Sequence, residues 1–163
     1  MVSKALKIGL SVLAACVPAA AVFGANGIWP SGEADGVCVT FRPPTWSYIV
    51  FWSLIVTSIT IGWLLLIWQS TSISPLIVSS VLFLLIFTCT TVWQWRYHQP
   101  GKKADGITIF LFLICFVLAA IVYTATVNIY TAILIVPLLV WGIYQLVVNA
   151  AEVSCDPQTK TNT

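Results

Sequence analysis

An all-α integral membrane protein, folded as one bundle of five transmembrane helices, is what three features of this sequence predict. The 163 residues are 60% hydrophobic and only 7% charged, with a mean hydropathy of +0.99. Soluble domains carry about 25% charged residues, so lipid must cover the surplus apolar surface. Five apolar segments reach the roughly 20 residues that cross a hydrocarbon core of about 30 Å. They are Leu6–Ala25, Ser47–Gln69, Pro75–Trp95, Ile107–Val127 and Ile129–Ala151. Finally, all twelve Lys, Arg, Asp and Glu residues lie outside these segments or at their margins. The expected organisation is a single membrane domain over 1–151, with loop 26–46 as a candidate lid and 152–163 as a polar tail.

The first segment follows Lys4 and Lys7 and contains Ala19-Ala20-Ala21. A cleaved signal peptide shares these features, but the apolar run is long enough to span and is read as a retained helix. Ser11, Ala15 and Ala19 form a small-residue ridge at i, i+4 and i+8, which predicts close helix approach. The connection 26–46 holds Gly27, Pro30, Gly32, Glu33, Asp35, Gly36, Pro43 and Pro44, and loops of this length are commonly functional. It ends in Pro43-Pro44-Thr45-Trp46. Proline suits the first turn of a helix, and tryptophan suits a membrane–water boundary. The second connection, near Ser70–Ser74, is short and uncharged. The third, Arg96–Gly106, carries Arg96, His98, Lys102, Lys103 and Asp105. Residues 107–151 are uncharged and too long for one span, so the chain must reverse near Asn128, a residue suited to a helix C-cap.

Five spans place the two ends of the chain on opposite sides. Lys4 and Lys7 fall on one side, against Arg42, Arg96, Lys102, Lys103 and Lys160 on the other. The positive-inside rule then puts the long loop and the C-terminus in the cytoplasm. The composition identifies no particular membrane.

Several function classes are disfavoured. Basic residues never cluster beyond Lys102-Lys103, which argues against nucleic acid as a partner. Cys16, Cys89 and Cys115 fall inside spans, while Cys38 and Cys155 fall outside. An odd count without Cys-x-x-Cys argues against a disulfide framework or a metal site, leaving small apolar side chains. No ionisable residue lies in mid-span, which argues against a proton-coupled pump. His98, a lone boundary histidine, reads as solvated, with haem ligation the weaker reading. No nucleophile has a base near it in sequence. Catalytic residues, metal ligands and a required cofactor are therefore left unassigned, and the balance is against an enzyme.

The aromatic residues are more informative. Trp46, Tyr48, Trp68, Trp93, Trp95, Tyr97 and Tyr130 lie near span ends and read as an interfacial belt. Trp52, Trp63 and Trp141 are deeper. Trp52 and Trp63 are eleven residues apart, which returns to the same helix face. Pro137, Trp141, Gln145 and Asn149 form a row at i+4 steps on the last span. Amides avoid lipid, so this row should face the bundle interior. It is either interhelical glue or one wall of a pocket built from tryptophan and a few polar groups. Pro137 would kink the helix beside it.

These motifs resemble those of the TspO/MBR family of tryptophan-rich sensory and translocator proteins. Pro43-Pro44-x-Trp46 with Trp52, Gly62 and Trp68 is similar to the family's second helix. Trp93-Gln94-Trp95 is similar to the Trp-x-Trp that ends its third. Pro137-Leu138-Leu139-Val140-Trp141, with Asn149 eight residues on, is similar to its fifth. The chain departs from the pattern at Val92, at Arg96-Tyr97, at Leu138 and at Gln145, and so looks like a divergent member. The resemblance implies a five-helix bundle that binds porphyrins, haem, sterols or drug-like ligands, often as a dimer. It places Trp52, Trp95, Trp141 and Gln145 around the pocket, and Pro43, Pro44 and Trp46 in the lid region.

The expectation is a membrane-embedded binding protein, a sensor, scavenger or transporter of flat apolar ligands. Protoporphyrin IX or haem would be ligand rather than required cofactor. Lipid, a hydrophobic small molecule and a second copy of the chain are the expected partners. The ligand-binding set is Trp52, Trp95, Trp141, Gln145, Asn149, Pro43, Pro44, Trp46 and Trp93. Two alternatives stand beside this reading. One is a structural or assembly protein whose pocket Gln145 fills. The other is a slow porphyrin-degrading enzyme.

Overall fold

The computed structural model describes residues 2–29, 39–99 and 102–155. The middle of the candidate lid, Cys38 and the tail beyond Cys155 lie outside the described residues. Five helices are long and apolar enough to cross a membrane: α1 (Lys4–Ile28), α2 (Thr45–Gln69), α3 (Ile73–Tyr97), α4 (Lys103–Val127) and α5 (Ile129–Cys155). At 1.5 Å per residue, 25 residues extend about 37 Å, enough to span with tilt. The helices pack as a ring in which α1 touches α2 and α3, α2 packs on α5, and α4 lies between α5 and α3.

Local chemistry explains the breaks. Ser3 caps α1 by accepting the Leu6 N–H at 3.2 Å. Pro18 inside α1 has no N–H to give to the Ala14 carbonyl, and the helix widens just beyond it into a π-turn over Ala20–Gly24. Gln94 of α3 donates a long hydrogen bond, 3.4 Å, to the Ala21 carbonyl in that turn. Pro44, at φ −61° and ψ 147°, is the N-cap of α2, and its carbonyl accepts from both Ser47 N–H and Ser47 Oγ. At the far end of α2, Lys7 Nζ donates to the Trp68 and Ser70 carbonyls at 3.1 and 3.0 Å. A cation satisfies orphan carbonyls and the negative end of the helix dipole there.

Three sequence-based expectations change. The packing face of α1 is Ala14, Pro18, Ala21, Val22 and Ala25, while Ala15 is exposed. Ser11 satisfies its own hydroxyl on the Lys7 carbonyl and needs no partner helix. Asn128 does mark the reversal, but as extended backbone at φ −156°, not as a left-handed C-cap. Its Oδ1 instead accepts from the Tyr130 and Thr131 amides, so it caps the start of α5. Last, the final helix continues through Cys155, so Glu152 is not in a tail: it is 1% exposed and paired with Arg42.

The half of the bundle nearest Asn128 is tightly apolar. Trp63 stacks on Phe83 with ring centroids 4.9 Å apart and donates Nε1–H to Ser80 Oγ at 3.1 Å. Gly62 lets α2 approach α5: an added Cβ would sit 3.3 Å from Leu134 Cβ. Two hydrogen bonds fasten that crossing, Thr131 Oγ1 to the Gly62 carbonyl at 3.0 Å and Ser58 Oγ to the Leu134 carbonyl at 2.7 Å.

Candidate functional site: a groove between α2 and α5

A groove of about 890 Å³ lies between α2 and α5 at the end of the bundle that carries the long connection. Its walls are Phe51, Leu54, Ile55 and Ser58 from α2, and Val136, Pro137, Val140, Trp141 and Tyr144 from α5, with Pro43 at its rim. Phe51, Leu54, Val136 and Val140 are exposed on the outside of the bundle, so the groove opens sideways toward lipid. Pro137 contributes to it in two ways. It exposes a flat ring in place of a longer side chain, and it removes the hydrogen bond to the Ile133 carbonyl that would hold the helix straight.

Trp141 is the back wall. Its ring stacks on Phe51 at 4.7 Å and 22°, meets Tyr48 edge-on at 5.6 Å, and tilts against Tyr144 at 5.6 Å. Offset-stacked and edge-to-face pairs each add about 0.5–1.5 kcal/mol beyond burial, so the indole is held rigidly. Tyr144 OH donates to the Phe41 carbonyl at 2.8 Å, tying the end of the long connection to α5.

Behind Trp141 the interior turns polar. Gln145 and Asn149, each 2% exposed, follow it on the same inward face of α5, and Glu152 completes the row. Arg42 reaches in from the connection to bind Glu152, and its guanidinium also lies 5.7 Å over the Tyr48 ring. Trp141 Nε1, Gln145 Nε2, Asn149 Nδ2 and Tyr48 OH are all buried and make no hydrogen bond among the described residues. On the α3 side, the same holds for Trp93 Nε1, Gln94 Oε1, Tyr97 OH and His98 Nε2. A buried polar group left unmatched costs about 1–3 kcal/mol. Ordered water or a ligand's polar edge would satisfy such groups. Four of the eight, the indole and amide nitrogens, can only donate, while Glu152 Oε2 at the same end is an unmet acceptor.

The expected set divides on this geometry. Trp141 and Pro43 line the groove, and Gln145 and Asn149 stand behind it. Trp52 is buried on the inner face of α2, the face it shares with Trp63. Trp93 packs against Phe110 at 5.1 Å and Tyr97 at 5.6 Å and is close to Gly106, whose added Cβ would lie 3.2 Å from Tyr97; it does not line the groove. Trp46, 67% exposed, and Trp95, 42% exposed, point outward, as Trp68 and Tyr130 do, and Pro44 serves as a helix cap. The interfacial belt therefore consists of Trp46, Trp68, Trp95 and Tyr130, whereas Tyr48, Trp93 and Tyr97 belong to the interior. His98 is half-buried, with Nδ1 held 2.7 Å from the Gln94 carbonyl, rather than freely solvated.

Sequence reasoning missed Phe51, Tyr144 and the Arg42–Glu152 pair. Phe51 and Tyr144 carry no pattern that separates them from other lipid-facing aromatics. The ion pair was legible only as one cation before a helix and one acid after another. The cysteines also depart from expectation: Cys16, Cys89 and Cys115 are free, but Cys155 is disulfide-bonded. No protein-family model matches this chain, and no curated protein matches it.

Proposed function

We propose that this is a membrane-embedded binding protein for flat apolar ligands of the tetrapyrrole class, protoporphyrin IX or haem, working as a sensor, scavenger or transporter. The groove backed by Trp141 carries this reading. Its volume falls within the range of about 300–1,000 Å³ usual for small-molecule sites, and its walls are almost wholly apolar. A planar macrocycle would lie against the groove wall, with Pro137 and Val140 beside it. Its polar edge would turn toward Ser58 and Tyr144, the polar side chains that line the groove. The likeness to the TspO/MBR motifs supports the same assignment, because Pro43, Pro137 and Trp141, drawn from two separate motifs, meet at this one groove.

Titration of the purified protein in nanodiscs with protoporphyrin IX, followed by tryptophan quenching, tests the proposal. Saturable quenching is expected. Trp141→Ala should weaken affinity roughly tenfold, the equivalent of about 1.4 kcal/mol, whereas Trp46→Phe and Trp95→Phe should leave it unchanged. Quenching that never saturates, or that is indifferent to Trp141, would remove the proposal and favour a purely structural bundle.

A further inference from the structure

We propose that the polar end of the bundle, comprising the long connection, the α3–α4 turn and the C-terminus of α5, faces an oxidising compartment outside the cytoplasm. The N-terminus then faces the cytoplasm, and the donor cluster behind Trp141 is approached from the non-cytoplasmic side. This inference stands independently of which ligand the groove takes.

The cysteines carry the argument. Cys155 ends α5 at this end of the bundle and is disulfide-bonded. Cys16, Cys89 and Cys115, all within the spans, are free thiols. The bonding is therefore confined to the end that leaves the lipid. Structural disulfides persist in extracellular, periplasmic and lumenal spaces, whereas cytosolic reductants keep such thiols reduced.

The cations divide on this orientation. Counted alone, five against two, they place the polar end in the cytoplasm. Lys4 and Lys7, however, flank the first span, which usually dominates orientation, and they place the N-terminus there instead. The disulfide sides with the first span against the count.

The test uses the full chain in native membranes, with a C-terminal epitope and with thiols quenched by N-ethylmaleimide at lysis. The epitope is expected to be digested only by protease added to the non-cytoplasmic face. Peptide mass spectrometry is expected to find Cys155 unalkylated until dithiothreitol is added, while Cys16, Cys89 and Cys115 alkylate in denaturant without it. An epitope digested from the cytoplasmic face, or a Cys155 thiol that alkylates before reduction, overturns the inference.

Discussion

At the scale of single residues, the two ion pairs show how burial decides the value of a charge. Glu152 has no exposed side-chain surface and Arg42 only 11%, whereas Arg96 and Asp105 are 29% and 46% exposed. Breaking a buried pair from one side costs about 3–5 kcal/mol, while an exposed pair contributes about 0–1 kcal/mol. Thermal unfolding in detergent should therefore show a large loss for Glu152→Ala and almost none for Asp105→Asn. Similar shifts for the two variants would mean that Arg42–Glu152 does not hold the connection onto α5. Gln145 should behave oppositely. Its buried Nε2 has no hydrogen-bond partner among the described residues, so Gln145→Leu removes an unmet polar group and is expected to leave the melting temperature unchanged or raised. The same variant, altering the support behind Trp141, should bind protoporphyrin IX several-fold more weakly. A loss of stability with unaltered binding would assign Gln145 to helix packing instead. Gains in stability at the expense of function are what a polar site in an apolar core produces.

At the scale of the element, most of each helix was readable from sequence, because one physical requirement, roughly 20 apolar residues in succession, sets it. Helix ends were less readable. Glu152 lies beyond the apolar run of α5, where Arg42 answers its charge, and a run of hydropathy does not register a partner from another segment. The small-residue faces were harder still. Ser11, Ala15 and Ala19 offer α1 the same spacing as Ala14 and Pro18, and only the packing of neighbours chooses between them. Gly62 was legible only as part of a motif, and its packing role shows at the α2–α5 crossing. Filling its space would wedge α2 from α5, since even one added carbon meets Leu134 at 3.3 Å. Gly62→Leu is expected to cost about 1–3 kcal/mol and to disturb the groove beside it. The check is a paired measurement of unfolding and of porphyrin affinity in the same preparation. A variant that melts like the parent would show that the α2–α5 crossing yields easily.

At the scale of the whole molecule, the bundle is divided along its length. The end near Asn128 is packed with Trp63, Phe83, Leu66 and Ile135 and has few unmet polar groups. The opposite end concentrates buried donors, the latch between Arg42 and Glu152, and the groove behind which they lie. This division was partly visible in the row Pro137, Trp141, Gln145 and Asn149, whose amides could not face lipid. The rest was hidden, because eight tryptophans in one chain look alike in sequence. Burial separates core members such as Trp63 from outward boundary residues such as Trp46, and among the buried ones Trp141 is set apart by lining the groove. Only contacts between α2 and α5, far apart in the chain, make that distinction. The central claim is therefore spatial: a flat apolar ligand lies against Trp141 between these two helices. Photolabelling in nanodiscs with a porphyrin carrying a photoreactive group, followed by peptide mapping, tests it most directly. Label in the segments 51–58 and 136–144, displaced by excess protoporphyrin IX, is the predicted result. Displaceable label that maps instead around Trp46, Trp93 or Trp95, or label that no competitor displaces, would contradict it.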